Sequence, residues 1–189
     1  TTIGSSAFEG CAALASVNLS AGVTSIFDKA FEGCSSLTGI TVDANNTVYS
    51  SDEFGVLFNK DKTELVKYFA GNTATSYTIP ESVKTIDSNA FSNCINLTSV
   101  TISDGVETIG SGAFSGCTGL SSVTIPASVK TIDSYAFANC TNLTDVTISQ
   151  SVLNNLVNSI NNALQGIQLN INPRTIGGGS SNVGNVISN

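Results

Sequence analysis

The sequence predicts an α/β solenoid, a right-handed stack of about six 23-residue coils with a parallel sheet on one face and short helical turns on the other. Three observations support this fold: a fixed repeat, an alternating apolar segment in each copy, and a second segment too short for a full helix. The clearest copy runs from Ser122 to Thr144, and Ser99 to Ser121 repeats it. Such a period is typical of proteins whose coils bury each other's apolar edges.

Three apolar positions define the repeat. Each recurs at the same spacing along the chain, except for one longer gap between the second and third copies. They hold Phe8, Phe31, Phe91, Phe114 and Phe137; Cys11, Cys34, Cys94, Cys117 and Cys140; and Leu14, Leu37, Leu97, Leu120 and Leu143. Stacking of equal coils predicts that each set forms a column of inward side chains.

Each copy contains one predicted strand and one predicted turn. Leu97 to Ile102 alternates apolar and polar residues, as a strand with one buried face does. Ile109 to Cys117 is too short for a full α-helix, and its apolar spacing predicts a single helical or 3₁₀ turn. We therefore expect this turn on the side of the coil opposite the sheet.

The long gap exceeds one repeat period, and the excess places an insertion at about residues 43–79. Phe54–Phe58 and Glu64–Phe69 predict two strands, and the polar segment Asn59–Thr63 between them has the composition of a hairpin loop. We expect a β-hairpin that projects from one coil. Tyr77 to Pro80 then resumes the regular repeat.

The repeat array is predicted to cover residues 1–149, and a sixth coil follows it. Leu169 and Ile171 lie one full period after Val146 and Ile148, so residues 150–171 predict a C-terminal capping repeat. Apolar residues with helical spacing predict that a helix replaces the turn in this coil. Residues 172–189, which contain a Gly- and Ser-rich run, predict a flexible or partner-bound tail.

Composition excludes several classes of function. The net charge of −7 and the lack of a Lys/Arg cluster argue against nucleic acid or an anionic membrane as the partner. No apolar run is long enough to span a membrane, and no signal peptide opens the chain. The sequence has no His, which removes the usual general base, so we expect no enzyme activity. The cysteines predict buried free thiols in a column, with no metal and no other cofactor.

The chain begins in mid-coil, because Thr1–Ile3 aligns with Lys130–Ile132. This phase predicts an apolar N-terminal edge that other coils or a neighbouring molecule would cover. Two alternatives stay open: the chain is a piece of a longer array, or it self-associates through its N-terminal coil. The candidate end-to-end contacts are Ile3, Phe8, Leu14, Leu19, Leu169 and Ile171.

The repeats resemble the BspA-like, or Treponema-type, leucine-rich repeats, whose pattern is close to L-x-x-V-x-I-P-x-S-V-x-x-I-x-x-x-A-F-x-x-C. The resemblance covers residues 1 to about 150, and it includes Ile79-Pro80, Ile125-Pro126, and the Ala-Phe pair and the Cys of each copy. It implies a leucine-rich-repeat solenoid in a secreted or cell-surface protein. It also implies a role in adhesion to host or matrix proteins.

The predicted sheet face carries small outward residues, whereas recognition surfaces usually carry Trp, Tyr or Arg anchors. A module that binds another protein, or a matrix or cell-surface macromolecule, therefore needs anchors on the insertion. The candidate partner contacts are Tyr49, Phe54, Phe58, Tyr68, Tyr77, Thr101, Thr124 and Thr147. Core packing is the alternative role for Phe54, Phe58 and Tyr77.

Two other functions remain open at this point. The chain could be a structural building block that assembles end to end into a fibre or a surface layer. Aligned Thr columns could instead order water or polysaccharide, although Thr is also simply a good strand residue.

Overall fold

The structure is a computed structural model that describes residues 1–27, 29–149, 151–154, 163 and 170–172. These residues form a β-solenoid of about six turns. Its strands are β1 (Thr2–Ile3), β2 (Ser16–Leu19), β3 (Ser25–Ile26), β4 (Gly39–Val42), β5 (Tyr49–Ser51), β6 (Leu57–Asn59), β7 (Glu64–Lys67), β8 (Ser76–Thr78), β9 (Thr85–Ile86), β10 (Ser99–Thr101), β11 (Thr108–Ile109), β12 (Ser122–Ile125), β13 (Thr131–Ile132), β14 (Asp145–Ile148) and β15 (Asn170–Asn172).

Each regular coil contributes one strand to each of two sheets. Sheet I has the order β15-β14-β12-β10-β8, with β2-β4 as its separate N-terminal part; sheet II has the order β13-β11-β9-β7-β6-β5, with β1-β3 as its N-terminal part. Val100 pairs in parallel with Val123, and Val123 pairs with Val146, so neighbouring coils are offset by one repeat period. The predicted period and the predicted solenoid are confirmed.

The side of each regular coil opposite sheet I shows the predicted helical turns only weakly. It consists of a two-residue strand of sheet II followed by a run of turns. In these turns backbone amides alternate between partners: Ala90 N donates to Asp87 O within the coil, whereas Phe91 N donates to Ala113 O in the next coil. Positive φ angles at Asn89 (56°) and Asn93 (59°) interrupt any helical path. Alternate amides therefore donate hydrogen bonds to the next coil. A helix would not allow this, because it uses its backbone amides within its own segment.

Aromatic rings form a stacked column through the core. The ring centroids of Phe91 and Phe114 are 4.8 Å apart, and those of Phe114 and Phe137 are 5.1 Å apart with nearly parallel planes. These spacings match the distance between neighbouring strands of a sheet. The column predicted from the repeat is thus present, and its period is set by the backbone.

The cysteines fill a second column and form no disulfide. The Cys117 thiol donates to Phe91 O at 3.0 Å, and the Cys140 thiol donates to Phe114 O at 3.1 Å. All five cysteines are free, and Cys34, Cys94, Cys117 and Cys140 are buried, but Cys11 is exposed. The prediction of buried thiols is therefore wrong for Cys11, which lies in the first coil.

The insertion forms a hairpin, as predicted, but its first strand is Leu57–Asn59 and not Phe54–Phe58, and the hairpin does not project from the stack. Strands β6 and β7 pair antiparallel, and Glu64 of β7 pairs in parallel with Thr85 of β9, so the hairpin lies within sheet II. Its alternate side chains enter two different apolar cores. Leu57 and Phe69 pack in the N-terminal core, whereas Phe58 and Tyr68 pack in the C-terminal core. The prediction of a projecting hairpin is wrong because both faces of this segment are apolar and both are buried.

The last described coil departs from the period. Val146 pairs with Ile171, whereas the repeat predicted Leu169 at the position beside Val146 and placed Ile171 one period after Ile148. Residues 151–154 and 163 are helical, and Ser149 caps this segment, since its side-chain oxygen accepts from Val152 N at 3.4 Å. Most of the predicted cap at 150–171 and nearly all of the predicted tail at 172–189 lie outside the described residues, so both stay predictions.

Candidate interaction surface

The outward face of sheet I is a plane of small polar side chains. The exposed positions in β8, β10, β12 and β14 are Ser76, Thr78, Ser99, Thr101, Ser122, Thr124 and Asp145, with Thr147 half-buried. The inward positions between them are apolar, as the alternation predicts. This plane alone offers no large side chain to a partner.

Sheet I is interrupted between β4 and β8, and residues 52–56 of the insertion fill the gap. Ile40 N donates to Gly55 O at 2.9 Å, which ties this loop to β4. The two backbones approach so closely that a Cβ on Gly39 would stand 2.7 Å from the Gly55 Cα atom. Gly55 also has a φ of 73°, which favours glycine. These two glycines therefore permit the contact.

Asp52 fixes the shape of this loop. One carboxylate oxygen accepts hydrogen bonds from Phe54 N at 3.0 Å and Val56 N at 2.9 Å. The other accepts from the Tyr77 hydroxyl at 2.6 Å. Burial, together with this hydrogen bond, raises the pKa of Tyr77 well above its usual value, so the phenol stays protonated and donates. The loop is therefore held at Asp52 by Tyr77 and at Gly55 by β4, and its own amides close on the Asp52 carboxylate.

The anchored loop presents the ring of Phe54 on the sheet I side. Phe54 is 46% exposed, and its ring meets Tyr77 edge to face with 5.7 Å between the centroids. Beside it runs an open groove, called here the Phe54 groove, whose lining includes Ser16, Thr38, Thr41, Glu53, Phe54 and Asn72. The Asn72 amide donates to both Phe54 O and Thr38 O, at 3.0 and 3.1 Å, and so joins the two walls.

Three of the aromatic residues predicted as partner contacts lie in the core instead. Phe58, Tyr68 and Tyr77 are buried, so their rings pack between coils and cannot reach a partner. Tyr49 is half-buried, and its hydroxyl accepts a hydrogen bond from Ile26 N. Phe54 is the predicted aromatic that the structure leaves exposed, and its role as a partner contact stays a prediction.

The predicted end-to-end contacts are only partly at the surface. Ile3, Phe8 and Leu14 are half-buried around the N-terminal core, whereas Leu19 is 2% exposed and cannot reach a neighbouring molecule. Leu169 lies outside the described residues, and Ile171 is placed by its backbone pairing with β14. Self-association at this edge stays a prediction.

The charged residues form no clustered chemical site. Within the described residues no group of three His, Cys, Asp or Glu could hold a metal ion. Two ion pairs are found there, Lys29–Glu32 and Lys130–Glu107. No helix in the described ranges is long and apolar enough to cross a membrane.

Asp52 lies in the irregular insertion, so the repeat does not predict its structural role. A signal was present, because Asp52-Glu-Phe-Gly55 has the Asp and Gly spacing of a hydrogen-bonded turn. The contact between Asp52 and Tyr77 joins two distant parts of the irregular insertion. No repeat position predicts such a contact.

The BspA-type leucine-rich repeat pattern matches residues 1–60 and 66–180 in six copies. The chain belongs to the BspA-type leucine-rich repeat family. The family resemblance and the leucine-rich-repeat fold predicted from the sequence are thereby confirmed. Comparison with curated protein sequences gives no match.

Several solved structures are similar to the chain. A leucine-rich repeat protein from Eubacterium ventriosum is 34% identical with a TM-score of 0.67, over 74% of this chain and 40% of that one. The pneumococcal vaccine antigen PcpA is 24% identical with a TM-score of 0.62, over 74% and 40%. A leucine rich cell surface protein from Faecalibacterium prausnitzii is 23% identical with a TM-score of 0.61, over 86% and 48%. The last two show the fold alone, and the chain spans less than half the length of each of the three.

Proposed function

We propose that the chain is a non-catalytic protein-interaction module, displayed at the cell surface or secreted, that binds its partner at the Phe54 groove. The observation that carries the proposal is the exposed Phe54 ring, held by an anchored loop on a sheet face that otherwise carries small residues. Binding hot spots are typically aromatic or Arg side chains surrounded by smaller contacts that exclude water.

Preorganisation strengthens this assignment. The hydrogen bonds to Asp52 and the contact with Tyr77 fix the loop before any partner arrives. Binding then orders little of the protein, so less conformational entropy opposes association. The exposed Thr101 and Thr124, and the half-buried Thr147, would extend the contact across sheet I as a polar periphery.

A surface location is the part of the proposal that rests on relatives. One structural neighbour is described as a cell surface protein, and another as a vaccine antigen. An adhesin-like role, in which the partner is a host or matrix protein, is consistent with membership of this repeat family.

Photo-crosslinking from the groove tests the proposal. Phe54 is replaced by the photoreactive benzoylphenylalanine, and the protein is irradiated with each member of a panel of purified matrix and cell-surface proteins. The matched control carries the same group at Tyr135, which is 53% exposed and lies outside the groove. Sedimentation of the protein alone shows whether copies of the chain associate, so that crosslinks between copies can be distinguished from crosslinks to a panel protein.

The expected result is an adduct with one panel protein from position 54 and none from position 135. Unlabelled wild-type protein should compete for the adduct, and Phe54→Ala should not. Equal competition by both proteins, or equal adducts from both positions, would show that the groove is not the binding site.

A further inference from the structure

Acidic residues occur on both sheets, whereas the lysines of the chain lie away from sheet I. Every lysine of the sequence lies in sheet II, in the turns beside its strands, or at the tip of the β6–β7 hairpin: Lys29, Lys60, Lys62, Lys67, Lys84 and Lys130. The charged residues on sheet I and in the loop that fills its gap are Asp52, Glu53 and Asp145, all of them acidic. A partner that approaches sheet I therefore meets negative charge beside the Phe54 ring.

The carboxylates of the groove differ in their availability. Both oxygens of Asp52 are engaged within the protein, by two amides and the Tyr77 hydroxyl. Glu53 is exposed on the groove lining, and neither ion pair of the described residues includes it. Glu53 is thus the carboxylate that a ligand can reach, and Asp52 adds negative potential behind it.

The aromatic ring and the carboxylate are adjacent in the sequence and line the same groove. Tyr77 meets the Phe54 ring at one place, edge to face, and close to half of the residue faces solvent. A guanidinium or ammonium group is attracted to an aromatic face, and it pairs with a carboxylate. An anionic ligand would instead be repelled by Asp52, Glu53 and Asp145.

On the basis of the proposed function, we infer that the occupant of the Phe54 groove is a protein segment bearing arginine or lysine. Its cationic side chain stacks on Phe54 and pairs with Glu53. Thr38 and Thr41 also line the groove, and they add polar contacts beside the cation but no charge. The partner is thus recognised by a cation, and arginine fits both the ring and the carboxylate.

Fluorescence anisotropy with defined peptides tests the inference. The probe is a fluorescein-labelled peptide of alternating Ser and Arg, and its control replaces each Arg with citrulline, which keeps the shape and removes the charge. The protein variants are Phe54→Ala, Glu53→Gln and Asp61→Asn. Asp61 is an exposed carboxylate at the hairpin tip, so Asp61→Asn matches the change in net charge away from the groove.

The Arg peptide should bind the wild-type protein and the citrulline peptide should not. Phe54→Ala should weaken binding at least about tenfold. Glu53→Gln should weaken it about threefold, and Asp61→Asn should leave it unchanged. Equal binding of the citrulline peptide would show that no cation is required. Equal effects of Glu53→Gln and Asp61→Asn would show that the attraction has no defined site. Either result would overturn the inference.

The two proposals can fail separately. A crosslinked partner at position 54 together with no binding of the Arg peptide would overturn the cationic occupant and leave the proposed function standing. Loss of both results would remove both proposals. If the wild-type chain sediments as a dimer and Phe54→Ala as a monomer, the occupant is a second copy of this chain, and the foreign segment is ruled out.

Discussion

Replacing Tyr68 with Phe removes a hydroxyl that is buried in the core and has no hydrogen-bond partner among the described residues. Tyr68 stands in the aromatic column, where its ring stacks on Phe91 with 5.1 Å between the centroids. The sequence places Phe at the matching position of the other copies, such as Phe114. A phenylalanine therefore fits the ring site, and the substitution tests the effect of the hydroxyl alone.

The magnitude follows from the cost of burying an unpaired polar group, which is about 1–3 kcal/mol. Loss of the packing contacts of the oxygen offsets part of this gain. We expect Tyr68→Phe to raise the free energy of unfolding by about 1 kcal/mol.

Tyr77→Phe is the matched control, because it makes the same chemical change at a hydroxyl that does have a partner. Its hydroxyl donates to Asp52 at 2.6 Å, and a hydrogen bond to a charged group contributes about 1.5–3 kcal/mol. We expect this variant to lower the free energy of unfolding by about 2 kcal/mol.

Urea unfolding followed by circular dichroism measures both changes, with equal slopes showing that the same transition is compared. Midpoints should shift upward for Tyr68→Phe and downward for Tyr77→Phe. If Tyr68→Phe is no more stable than the wild type, the hydroxyl has a partner and the reasoning is refuted.

Phe114→Ala should lower the free energy of unfolding by about 3–5 kcal/mol, because the ring is fully buried and stacked on both sides; a loss below about 1 kcal/mol in urea unfolding would contradict this packing. Tyr135 has a positive φ of 61° at the position that Asn89 holds two coils earlier. Because Asn adopts this left-handed backbone more readily than Tyr or Ala, Tyr135→Asn should raise the free energy of unfolding by about 0.5–1 kcal/mol in thermal melts, and Tyr135→Ala should not. Iodoacetamide should modify Cys11 alone in the folded protein and all five cysteines in urea, as counted by mass spectrometry; protection of Cys11 would show that it is covered. Burial raises the pKa of Cys140 from 9.0 to about 12, so the unfolded chain loses this proton first as pH rises. Its stabilising effect should be complete below pH 9 and should disappear towards pH 12, and urea midpoints that stay constant across this window would contradict the prediction.

The candidate site shows where prediction from the sequence succeeds and where it stops. Phe54 could be chosen as a surface anchor because it lies in the irregular insertion, outside the Phe, Cys and Leu columns that define the repeat. Tyr68 lies one period before Phe91 and is buried, but Phe58, which has the same aromatic character and no repeat position, is buried as well. Composition cannot separate these residues, since the direction of each side chain depends on which strand the hairpin pairs with.

The sequence by itself determined the period, the positions of the sheet I strands in the regular coils, and the identity of the core columns. A fixed repeat places chemically equal residues at equal positions, and parallel pairing of equal coils then sets the register, as the pairing of Val100 with Val123 shows. The tertiary structure decided what the insertion does. Its alternating side chains, such as Leu57 and Phe58, enter two cores that only the folded stack creates. The Phe54 groove likewise depends on contacts outside the repeat, including the one between Asp52 and Tyr77, because long-range contacts are fixed by how the chain packs and not by a local period.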